Sequence, residues 1–219
     1  VGGDRLKNKL TLVSRAMQAG MVGIAAAGVA TGDLTRVFAA LISLFITEVP
    51  SLLRRDIHLV LPLELNFWIV LALFLHVVGG FSGFYDHVPG WDHITHMTSA
   101  SLIGALGFVV VVTIDKYADS IYLPRPFLAF FIVMFTMAMG VIWEIMEYAN
   151  DALTGSHLQY SLADTMYDLL FDGFAGFVVA IVGAQYLIRV SPEHFAESLD
   201  VEEAKRRMGN LVRRRSTKP

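Results

Sequence analysis

Apolar residues fall in six long blocks, separated by short connections that are polar or marked by glycine and proline. A membrane-spanning helix needs about 17–25 mostly apolar residues. By that length the blocks lie at about 12–31, 35–53, 62–80, 92–114, 126–152 and 163–188. The pattern predicts an all-α chain, a polytopic transmembrane bundle of six helices over residues 1–190. After it, "SPEHFAESLDVEEAKRRMGNLVRRRSTKP" opens on a Ser-Pro start and carries acids early and bases late, which suits the helix dipole. Residues 191–219 are therefore read as a basic cytoplasmic tail with a short helix, long enough to touch anionic lipid headgroups and too short for a nucleic-acid role.

Composition agrees with the pattern. The 219-residue chain is 55% hydrophobic and 17% charged, against about 45–50% and 25% in soluble domains. The polar start "VGGDRLKNKL" and the long Gly/Ala-rich block after it do not read as a cleavable signal, and the start at Val1 suggests a trimmed natural N-terminus. Cysteine is absent, which excludes disulfides and thiolate metal ligands.

Charge distribution orients the bundle, because Lys and Arg stay preferentially on the cytoplasmic side. Arg5, Lys7, Lys9 and Arg15 precede or open the first block. Arg54 and Arg55 lie between the second and third, Lys116 and Arg125 between the fourth and fifth, and Arg189 onward follows the sixth. The alternate connections hold only Arg36. Both termini are expected in the cytoplasm of a prokaryotic cell bounded by this plasma (inner) membrane. "FYDHVPGWD" and "DALTGSHLQY" are expected outside.

Three polar motifs then converge. "WDHITH" opens the fourth block, "WEIMEY" closes the fifth and "DTMYDLLFDGFAG" opens the sixth. At about 1.5 Å per residue, His96 lies roughly 6–8 Å below the outer surface and Asp172 roughly 12–14 Å. Glu147 is level with His96, and Glu144 is a turn deeper. Asp164, Asp168 and Asp172 recur at i, i+4 and i+8 and so form one stripe. Glu144 and Glu147 share a face that Asp151 extends outward, and Asp92 and His93 flank His96.

Buried acids are most simply explained by pairing with Lys or Arg, but the chain has neither at 57–114 or at 126–188. An uncompensated charge near mid-membrane costs about 2.5–3.5 kcal/mol even on the lenient insertion scale, and clustered carboxylates repel one another. The group must hold protons, bind cations or line water. The pattern points to one or two divalent metals on Asp92, His96, Glu144, Glu147, Asp168 and Asp172, with His93 or Asp164 as general base. Oxygen and imidazole donors suit Zn, Mn or Fe better than Mg or Ca.

The same three motifs, with the preceding "LPLELNFWIVLALFLHVVGGFSGFYD", resemble the YjdF-like family of small inner-membrane proteins, a similarity that covers roughly residues 48–185. A looser similarity to VanZ-like membrane proteins places Asp92/His96, Glu144 and Asp164/Asp168 with Gly173 and Gly176 on that family's motifs. Glu147 stands where the VanZ-like pattern has Gln, and its basic residue before the last Asp motif is missing. The resemblance implies membership and supplies no reaction. Three functions fit the residues: a metal-dependent hydrolase or transferase on a lipid-linked substrate, a proton- or metal-coupled transporter, and a non-catalytic membrane partner with a structural metal. Membrane lipids are the expected surroundings, and a homo-oligomer is compatible with each.

Overall fold

The computed structural model describes residues 2–117 and 124–207; Arg213, Arg214 and Arg215 of the tail lie outside them. The elements are α1 (Gly2–Thr31), α2 (Leu34–Ile57), α3 (Leu63–Ser82), α4 (Phe84–His87), α5 (Trp91–Tyr117), α6 (Arg125–Thr154), α7 (Leu162–Arg189) and α8 (Pro192–Ser198). No strand occurs among the described residues. Six of the helices are long and apolar enough to cross a membrane, as expected. α1 begins at Gly2, well before the apolar block at residue 12, because hydropathy marks bilayer thickness and the polar "GGDRLKNKL" simply continues the same helix. The four-residue α4 was not foreseen; one turn carries no periodicity to read.

Local chemistry sets the ends. The Asp33 side chain accepts from the Arg36 N–H at 3.1 Å and caps α2. Pro62 and Pro124 directly precede α3 and α6, where a missing N–H costs nothing. Ser161 caps α7 through its hydroxyl, which accepts from Asp164 N–H at 3.1 Å. α6 stops at Gly155, whose φ of 72° turns the chain sharply while its N–H reaches the Asp151 carbonyl at 2.9 Å. That sharp stop places the α6–α7 loop directly beside the last turns of α6.

The chain forms two compact units. The first comprises residues up to Phe84 with the tail from Glu193. Its helices α1, α2 and α3 pack around Met17, Met21, Ala25, Ala40, Val70 and Val77. Within this unit the tail buries Phe195, Leu199 and Ala204, and the Val60 N–H donates to the Leu199 carbonyl at 3.0 Å. Arg36, in the first turn of α2, pairs with Asp33 at 2.9 Å and lies 5.4 Å above the Phe81 ring.

The second unit, Tyr85–Pro192, holds α5, α6 and α7, each packed on the other two. One half of it is apolar and closely interlocked. A methyl at Gly107 would stand 2.7 Å from the Phe135 ring, and one at Gly183 would stand 2.9 Å from the Phe108 ring. Such close helix approach is how membrane bundles gain packing without a hydrophobic driving force. The other end, made by the first turns of α5 and α7 and the last turns of α6, is where the polar motifs meet.

Candidate metal centre

His96 is the hub. It is 5% exposed, on the second turn of α5, and faces acids from its own helix and from both neighbours. Its Nδ1 lies 3.5 Å from Asp172 Oδ1 on α7. Its Nε2 lies 3.8 Å from Asp92 Oδ1, one turn back on α5, and 3.8 Å from Glu144 Oε1 on α6. The spacings i, i+4 on α5 and i, i+4 between Asp168 and Asp172 bring these groups onto the facing sides of their helices. Glu144, Asp168 and Asp172 are all buried.

The electrostatics are unusual for a buried cluster. The ion-pair partners of the acids are His93 and His96, not Lys or Arg. With a proton on Nδ1 directed at Asp172, the Nε2 lone pair looks at two carboxylate oxygens. His96 Nε2 and Glu144 Oε1 are buried and have no hydrogen-bond partner among the described residues. Buried polar atoms normally find partners, and in that tautomer the three atoms are all acceptors, which a cation would satisfy. Metal–ligand bonds of about 2.0–2.2 Å bring two donors to within about 4 Å of each other across one ion, so the 3.8 Å separations fit an ion between them.

Three sets of donors each converge within 4.8 Å: Asp92 with His96 and Asp168, His93 with Asp164 and Asp168, and His96 with Glu144 and Glu147. His96 joins the first set to the third, and Asp168 joins the first to the second. The three sets hold seven of the eight candidate ligands and bases, and Asp172 joins them through His96 Nδ1. Their states differ. His93 Nδ1 is 2.8 Å from Asp168 Oδ1 and the ring stacks on Phe171, with centroids 4.9 Å apart, so His93 is oriented by a carboxylate and an aromatic face. Glu147 Oε1 accepts from Trp143 Nε1 at 2.9 Å. Asp164 sits at the rim beside the α7 cap.

Asp151 departs from the sequence reading. It does not extend the acidic face; its carboxylate turns to the α6–α7 loop and accepts from Ser156 Oγ at 2.7 Å, Leu158 N at 2.8 Å and Gln159 N at 2.9 Å. The loop brings in Gln159, which sequence reasoning missed. Its Nε2 donates to the Glu144 carbonyl at 3.1 Å and to Glu144 Oε2 at 3.0 Å. A lone glutamine in a polar loop gives no signal of its own; only the cap at Gly155 brings it back to α6.

Two tyrosines close the rim. Tyr85 on α4 donates to Thr95 Oγ1 at 3.4 Å, and burial raises its phenol well above the ordinary range. Tyr160 donates to Asp86 Oδ1 at 3.0 Å and joins the loop to α4. His87, the last residue of α4, and His157, in the α6–α7 loop, are exposed.

A family model described as "Predicted membrane protein (DUF2238)" matches residues 12–189, a span that contains the whole cluster. An uncharacterized protein of Thermotoga maritima is 30% identical over 126 residues, 56% of this chain and 63% of that protein. The chain thus covers just under two thirds of that relative's length. No solved structure matches.

Proposed function

The chain belongs to the predicted membrane protein family DUF2238, and we propose that its cluster around His96 binds a divalent cation and carries out metal-dependent hydrolysis or group transfer. The observation that carries the reading is the pair of buried polar atoms with no hydrogen-bond partner among the described residues, His96 Nε2 and Glu144 Oε1, 3.8 Å apart with Asp92 Oδ1 equally near Nε2. Asp92, His96, Glu144, Glu147, Asp168 and Asp172 supply the donors. One nitrogen among oxygens favours Zn, Mn or Fe, and Asp168, common to two donor sets, suits a bridging role if two ions bind.

Held by these residues, a divalent ion would supply Lewis-acid polarisation of a substrate oxygen and a water acidic enough to ionise near neutral pH. His93 then has the attributes of a general base: its Nδ1 is engaged by Asp168, which fixes the ring and leaves Nε2 for the proton. Asp164 beside it is the alternative acceptor. The Lys/Arg distribution supports an outer position for this end in a plasma membrane, with both termini in the cytoplasm. A lipid-linked substrate meets the site there from the outer leaflet. The tight apolar packing at Gly107 and Gly183 supports a one-sided site over a carrier, which needs access from both faces.

The test is elemental analysis of purified protein. Wild type is expected to retain Zn, Mn or Fe at one or two ions per chain, and His96→Ala to lose it. A folded wild type that stays free of metal after growth and titration with all three would sink the proposal. Metal flux in proteoliposomes without lipid turnover would shift the function to a carrier.

A further inference from the structure

We propose that Gln159, anchored by Asp151, is a positioning residue that holds the Glu144 carboxylate in the orientation the cation site needs. The inference rests on the metal reading above but is measurable without it. Both acceptors of the Gln159 amide are oxygens, the Glu144 carbonyl at 3.1 Å and Oε2 at 3.0 Å, so the NH₂ end must face α6. With Oε2 tied down, Oε1 has one direction left, and it points at His96 Nε2, 3.8 Å away. Among the described residues Glu144 Oε1 has no hydrogen-bond partner while Oε2 is satisfied, a division of labour typical of a carboxylate that ligates through one oxygen.

The loop that delivers Gln159 is itself fixed. Asp151 Oδ2 accepts from the Gln159 N–H at 2.9 Å, and Oδ1 accepts from Leu158 N and Ser156 Oγ. The Gly155 turn makes this return path short enough. A chain of contacts therefore runs from Asp151 through the Gln159 backbone and side chain to Glu144, and from Glu144 to His96. It explains why a carboxylate at residue 151, outside the donor sets, is spent on three loop donors.

The experiment compares full-length wild type with Gln159→Leu, Asp151→Ala and Asn150→Ala in detergent. Co²⁺ serves as the probe, with affinity and visible absorption as readouts. Gln159→Leu is expected to weaken Co²⁺ binding by about 10–100-fold, the usual effect of losing a group that orients a ligand, and to change the absorption spectrum. Asp151→Ala is expected to act in the same direction. Asn150→Ala, which removes only a bond to Ser156 Oγ, is expected to leave both readouts unchanged. If Leu prevents folding, Gln159→Asn keeps an amide in the loop but withdraws it by one methylene, with the same loss expected.

A second readout separates this inference from the metal reading. The infrared carboxyl bands of Glu144, identified from the Glu144→Gln difference spectrum, are expected to shift in Gln159→Leu with no metal added. Wild-type Co²⁺ binding with unaltered affinity in Gln159→Leu and Asp151→Ala would overturn the positioning role and leave the metal site standing. Absence of Co²⁺ binding in wild type would remove the metal reading. The infrared shift would then sustain the positioning role, and an unmoved band would end it.

Discussion

At Gly140, a methyl group would overlap the Asp172 carboxylate, so the α6 backbone at this point is part of the site wall. Asp172 lies in the space that a side chain would fill, and from there its Oδ1 faces His96 Nδ1. Gly140→Ala must push the carboxylate aside or part α6 from α7. We expect a loss of about 1–3 kcal/mol, the usual cost of overpacking, read as a lower midpoint of thermal unfolding in detergent. A matching change at Gly155, which meets nothing within 4 Å but turns at φ 72°, would instead strain the backbone and loosen the loop. The two glycines serve different needs, close approach at one and chain reversal at the other.

At the scale of elements, the α6–α7 loop contacts three partners with three consecutive residues. Gln159 reaches α6, Tyr160 reaches α4 and Ser161 caps α7. The Tyr160 phenol is pushed up to about 12, first by burial and then by its bond to Asp86. Unfolded tyrosine titrates near 10. Below that value both states keep the proton and the contribution is whole. Between about 10 and 12 the unfolded chain ionises first, so stability falls as pH rises. The thermal midpoint of wild type is therefore expected to decline more steeply over that window than that of Tyr160→Phe. Parallel curves would mean that the phenol does not hold the loop to α4.

At the scale of the molecule, sidedness is the testable property. The chain has no cysteine, so single cysteines can be introduced without further change. His157→Cys, in an exposed loop position, is expected to react with an impermeant maleimide in intact cells. Glu197→Cys, exposed on α8, is expected to react only after permeabilisation. The reverse pattern would turn the cluster toward the cytoplasm and remove the outer-leaflet substrate from consideration.

The six membrane-length helices were legible because bilayer thickness imposes a minimum apolar length that the sequence reveals. The acids and histidines of the cluster were legible for the complementary reason, since ionisable groups inside apolar blocks without Lys or Arg stand out and helical spacing assigns each to a face. Asp151 was misplaced because spacing on α6 continues to the helix end, whereas its hydrogen bonds depend on where Gly155 sends the chain. Gln159 and the Gly140 niche were invisible for the same cause: each exists only when two segments distant in sequence are brought within about 3 Å. Helical periodicity determined which residues face inward. Only the tertiary structure decided which partner a carboxylate meets, His93 for Asp168 Oδ1 and Gln159 for Glu144 Oε2, because those partners come from other segments of the chain.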